Sequence, residues 1–64
     1  MDDFWKKWAA KQAWQQWGIY RQKEPRPDVA KVERDDEECC WWVHFVTGDV
    51  FEVRLTGIAK PTSR

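Results

Sequence analysis

Sixty-four residues with eleven basic and eleven acidic side chains allow one small domain, and this balance argues against the strong positive field that phosphate-driven nucleic-acid binding needs. Two adjacent cysteines, Cys39 and Cys40, exclude a disulfide scaffold, because neighbours in a strand point to opposite faces. Six tryptophans, Trp5, Trp8, Trp14, Trp17, Trp41 and Trp42, exceed the needs of one small core, since each buried indole removes roughly 150–250 Å² from water.

The chain begins with a predicted helix over about residues 3–17. Asp2 or Asp3 can cap its N-terminus, Phe4–Trp17 contains no Gly or Pro, and Gly18 followed by Ile19 matches a glycine-terminated helix end. At helical spacing, Trp5, Ala9, Ala13 and Trp17 share one arc with Trp8 and Phe4 on its flank. The alanines should let the helix approach a sheet closely. Trp14 falls on the opposite side, between Lys7 and Lys11, where it lies under lysine stems or meets a partner.

Residues 18–28 read as a connector stiffened by Pro25 and Pro27, with Tyr20 as its anchor. From there the period changes to two, and strands are predicted at about 29–34, 39–46 and 50–56, followed by a tail over 57–64. The acidic turn Asp35-Asp36-Glu37-Glu38 joins the first pair and Thr47-Gly48-Asp49 the second. A three-residue second loop sets Val43 opposite Val53, Trp41 opposite Leu55 and Phe45 opposite Phe51. The expected core face is then Ala30, Val32, Cys39, Trp41, Val43, Phe45, Phe51, Val53 and Leu55. The fold class is α+β: one N-terminal helix packed on a three-stranded antiparallel meander, α-β-β-β.

The opposite sheet face carries Val29, Lys31, Glu33, Cys40, Trp42, His44, Val46, Val50, Glu52 and Arg54. Trp42 should sit between Lys31 and Arg54, and His44 beside Glu52. The middle strand is apolar on both sides apart from His44, the pattern of a strand covered twice. Either cationic stems shield this face or a second chain does.

Catalytic equipment is missing from the pattern. Cys39, Cys40 and His44 diverge and lack a second ligand pair, so no metal site is expected. His44 has a carboxylate neighbour but no hydroxyl or well-placed thiol beside it, and the single serine, Ser63, lies in the tail. No cofactor is expected. No apolar run approaches the roughly 18 residues of a membrane span, and the N-terminus lacks the pattern of a signal peptide. A soluble protein of a reducing, cytoplasmic compartment is expected.

These residues point to a non-catalytic protein-binding module. Trp42, Trp14, Val46 and Val50 would supply an apolar patch, Lys31, Arg54 and His44 its rim, and Asp35, Asp36, Glu37 and Glu38 an acidic prong aimed at a basic partner surface. Small inhibitors encoded by phages and mobile elements share this size and style. The partner is another protein or a second copy. The alternatives are single-stranded nucleic acid held by Lys6, Lys7, Lys11, Arg21, Lys23, Arg26 and Trp14, and a designed miniprotein without an evolved activity.

Overall fold

The computed structural model describes residues 2–21 and 26–62, without the side chains of Asp2 and Arg21. The side-chain cap at Asp2, the basic residues Arg21 and Lys23, Pro25 and Ser63 therefore lie outside what is described. A 20-residue helix, α1 (Asp2–Arg21), precedes four strands: β1 (Val29–Asp35), β2 (Cys40–Phe45), β3 (Val50–Arg54) and β4 (Ala59–Thr62). All pair antiparallel in the order β1-β2-β3-β4. The architecture is α+β, and the expected meander gains a fourth strand from the segment assigned to the tail.

Cross-strand rows explain how the sheet sorts its residues. Val32, Val43, Phe51 and Pro61 form one row, and Arg34, Trp41, Val53 and Ala59 the next. These rows face α1, whose Ala9 and Ala13 are fully buried and bring the helix backbone close to the sheet. Trp17 and Trp41 are buried on either side of this contact. Ring contacts fix the helix direction: Trp5 and Trp8 lie on Trp41, while Trp17 reaches Phe45 and Tyr20 reaches Phe51. Val43, Phe51 and Val53 beneath are wholly excluded from water, each worth roughly 1.5–3 kcal/mol.

Turn chemistry sets the register. The β2–β3 loop is three residues long, but it is Val46-Thr47-Gly48 rather than Thr47-Gly48-Asp49. Phe45 N donates to Asp49 O at 2.9 Å and Gly48 N donates to Phe45 O at 3.0 Å. Gly48 has φ 95°, so it must be the last loop residue, the left-handed position of a three-residue hairpin. Trp41 consequently pairs with Val53 and Val43 with Phe51, two residues from the expected register. An even slip leaves every side chain on its expected face.

The β3–β4 loop repeats the same device. Arg54 N donates to Ile58 O at 3.0 Å, Gly57 N donates to Arg54 O at 2.9 Å, and Gly57 has φ 89°. Leu55 therefore belongs to a turn, exposed, and not to the core as expected. The acidic turn also shifts by one: Asp35 pairs with Cys40, leaving Asp36–Cys39 as the four turn residues. Cys39 takes the left-handed position at φ 54° and is exposed, while Cys40 is buried.

Two more expectations change near β1. An irregularity between Val29 and Lys31 brings Val29 opposite Phe45 and against the core, so Ala30 is exposed instead. The helix also runs through Gly18 to Arg21, and Tyr20 belongs to it rather than to the connector. Gly18 is no helix terminator. A Cβ there would collide with the Arg26 guanidinium, so the glycine leaves room for the returning chain.

Two substitutions test this fold. Ala59→Asp places a carboxylate under the helix and should cost about 3 kcal/mol or more in urea unfolding; a loss below about 1 kcal/mol would show that β4 is not docked. Cys39→Gly relieves a left-handed side-chain residue and should raise stability by about 0.5–1 kcal/mol in the same assay.

Candidate protein-binding surface

The sheet face away from α1 holds the residues first suspected of binding. Its rows run Lys31, His44, Val50, Thr62, then Glu33, Trp42, Glu52, Lys60, then Asp35, Cys40, Arg54. Apolar residues of β2 and β3 thus lie between charged residues from both flanks. Glu52 Oε2 lies 3.2 Å from Arg54 Nη2 and Glu52 Oε1 3.9 Å from Lys60 Nζ. Arg54 also donates from Nη1 to Glu38 O at 2.9 Å and approaches Glu38 Oε2 at 3.9 Å.

On the β1 side, Glu33 Oε1 lies 2.6 Å from His44 Nε2 and 3.7 Å from Lys31 Nζ. His44 therefore pairs with Glu33 and not with Glu52 as expected. Trp42 Nε1 donates to Asp35 Oδ2 at 2.9 Å. Asp35 Oδ1 accepts from the backbone N–H groups of Glu37 and Glu38 at 3.0 and 3.1 Å. Asp35 thus works as an internal clamp that shapes the turn and holds the indole. The projecting acids are Asp36, Glu37 and Glu38, with Asp36 3.3 Å from Arg34 Nε.

This arrangement disperses the expected patch. Val50 is only 7% exposed and Trp42 is half-buried. Val46 is exposed in a loop. Trp14 projects from the helix, on the other side of the sheet from Trp42, and carries the Arg26 guanidinium at 4.5 Å from its ring centroid. A cation does lie on Trp14, but it comes from the connector rather than from Lys7 or Lys11. Lys31 and Arg54 are surface ion-pair partners, each worth little by itself.

A different surface brings together two of the exposed apolar residues, Trp5 and Leu55. Trp5, Trp41, Val32 and Leu55 line a groove of about 810 Å³ whose charged margin is Lys6, Glu33, Arg34 and Asp36. Trp5 stacks on Trp41 at 5.9 Å and 20°, yet 40% of it remains exposed. Phe4 meets the Trp5 edge at 5.2 Å and is 64% exposed; Leu55 is 58% exposed. Arg34 lies 4.5 Å over the Trp41 ring. Across β1, an acidic cleft of about 340 Å³ is lined by Glu33, Asp35, Asp36 and Glu37 around Trp42 and His44. Both hollows share Glu33, Arg34 and Asp36. Sequence periodicity placed Trp5 in the core arc and missed this groove; the signal available was Phe4 and Trp5 at the very start of a helix longer than any strand.

Among the described residues, no group of three or more His, Cys, Asp or Glu is placed to hold a metal ion. Among them, too, no helix is long and apolar enough to cross a membrane. Cys40 has no solvent exposure. Burial above all, then the Glu52 carboxylate, pushes its thiol above the ordinary value of 9.0, with Arg54 opposing and Asp35 and Glu38 adding to the rise.

The unfolded thiol therefore ionises first as pH rises. Cys40 contributes stability that is present below pH 9.0 and is lost as pH rises toward and through its raised value. Cys40→Ala should show a shallower alkaline decline in urea midpoint than the parent chain. In the folded protein, iodoacetamide should alkylate Cys39 readily and leave Cys40 untouched until denaturant is added; equal rates at both thiols would contradict the buried placement.

No protein-family model, curated protein or solved structure matches this chain.

Proposed function

We propose that this protein is a non-catalytic protein-binding module that acts by covering a partner's surface, as small inhibitors and modulators do. The observation that supports it is the Trp5–Trp41 groove: aromatic and aliphatic surface at the centre, charges of both signs at the margin. That is the composition of an interface centre and its rim, and tryptophan and arginine are the residues that most often dominate binding energy there. Asp36 lines the groove, Glu37 and Glu38 follow it in the same turn, and together they would orient a basic partner surface electrostatically. The partner is thus a protein offering an apolar anchor flanked by Lys or Arg. Two free thiols suit a reducing, cytoplasmic setting.

Nucleic-acid binding through the Lys/Trp helix has weaker support, because one face of Trp14 is already taken by Arg26. The two readings separate by experiment. Affinity capture from a host lysate with the parent chain, Trp5→Ala and Asp36→Lys should recover a protein that Trp5→Ala weakens by about tenfold or more, a typical loss for a central aromatic. Capture that survives Trp5→Ala but collapses with added salt and with Lys7→Glu, yielding nucleic acid, would replace this reading with the other.

A further inference from the structure

The two edges of the sheet are built differently. β4 is four residues long and contains Pro61, which has no N–H to offer a further strand. β1 is seven residues long and has no proline, and its irregularity is confined to Val29–Lys31, so Lys31–Asp35 is regular extended chain. The apolar row Pro61–Phe51–Val43–Val32 also stops at this edge, with Val32 only partly buried.

We infer that β1 is a self-association edge, pairing antiparallel with β1 of a second copy about a two-fold axis at Val32 and joining two four-stranded sheets into one. Charge selects both the occupant and the register. A two-fold axis normal to the sheet keeps both helices on one side and places some residue opposite its own copy. Centring on Lys31, Glu33, Arg34 or Asp35 sets like charges face to face, which opposes pairing. Centring on Val32 sets Lys31 opposite Glu33 of the second copy, and Glu33 opposite its Lys31.

Lys31 and Glu33 already lie 3.7 Å apart within one chain. Pairing therefore builds a two-by-two array in which every charge has only opposite neighbours. Val32 is also the midpoint of Val29–Asp35, and in this register Lys31–Glu33 is the stretch that is regular in both copies, with the Val29–Lys31 irregularity at each end of the pairing. On the helix side, Val32 meets its copy and the apolar row continues across the junction. Mixed charge on an edge strand repels most strands, but in this register it attracts an identical one. The inference rests on the β1 backbone and the Lys31–Glu33 charges rather than on the protein-binding role; because Val32 and Glu33 also line the Trp5 groove, Trp5→Ala is the control that separates the two.

Sedimentation of the full chain from about 10 µM to about 1 mM, a range that reaches weak dimers, tests this. The parent chain should shift from monomer to dimer within it. Lys31→Glu and Glu33→Lys, both at exposed positions whose variants can be checked by thermal unfolding, should each weaken association by roughly tenfold or more, since two attractive pairs become repulsive. An equimolar mixture of the two variants should recover a heterodimer, and the double swap should associate like the parent. A parent chain that stays monomeric at about 1 mM would overturn the inference. So would a dimer indifferent to both reversals, one lost only on Trp5→Ala, or variants that fail to rescue each other.

Discussion

β2 is apolar on both faces apart from His44, and the described residues supply a single helix to cover it. Everything else in the structure follows from how the second face is closed. On the first face, Ala9 and Ala13 remove side-chain bulk so that the helix sits close over Val43, Phe51 and Val53. On the second, Cys40 and Val50 reach similar burial with no second layer of secondary structure above them. Their cover is made of side chains: Arg54 bridging Glu52 and Glu38, Lys60 on Glu52, and Trp42 held by Asp35. Individual surface ion pairs contribute only about 0–1 kcal/mol. Burial of one valine is worth roughly 1.5–3 kcal/mol. Arg54 stands opposite Cys40 in the ladder, so its aliphatic stem is placed to keep water from that thiol, and its pairing with Glu52 and Glu38 holds the stem there.

How much of this was legible depended on which physical rule each segment obeyed. The faces of β2 and β3 follow from a period of two, and they survived even a register that differed by two residues. The register itself was set by where a glycine can take positive φ, a constraint that hydrophobic alternation does not encode. β4 has only four residues, with Lys60 and Pro61 at its centre, so it shows neither alternation nor β-branched enrichment. Its signal was indirect: Val46-Thr47-Gly48 recurs nine residues later as Leu55-Thr56-Gly57, and both close hairpins in the same way. Gly18 shows the converse. Local sequence marked it as a helix end, while a distant residue, Arg26, gives it a packing role inside the helix.

The candidate surface was less legible for a geometric reason. Trp14 and Trp42 stand off the main apolar arc and core face, which made them look surplus. Each is accounted for by a polar side chain that periodicity cannot see: Arg26 beyond the helix end for Trp14, and Asp35 across the hairpin for Trp42. Trp5 lies on the core arc and so looked internal. But a 20-residue helix is about 30 Å long, and six residues of β2 span about 20 Å. One end of the helix must overhang the sheet. The molecule's longest extent of 31 Å against 21 and 19 Å reflects that mismatch.

Because Trp17 and Tyr20 engage Phe45 and Phe51 at one end, the overhang falls at the other, at Phe4 and Trp5. Trp5 stacks on Trp41 there and meets Trp8 edge-on, yet 40% of it stays exposed. The turn Asp36–Cys39 and the outer edge of β1 border the same corner, so apolar surface, projecting acids and an open strand coincide there. Core formation explains Trp17 and Trp41, and internal hydrogen bonding or cation stacking explains Trp42 and Trp14. Neither accounts for the exposed parts of Phe4 and Trp5, which the proposed binding role would put to use.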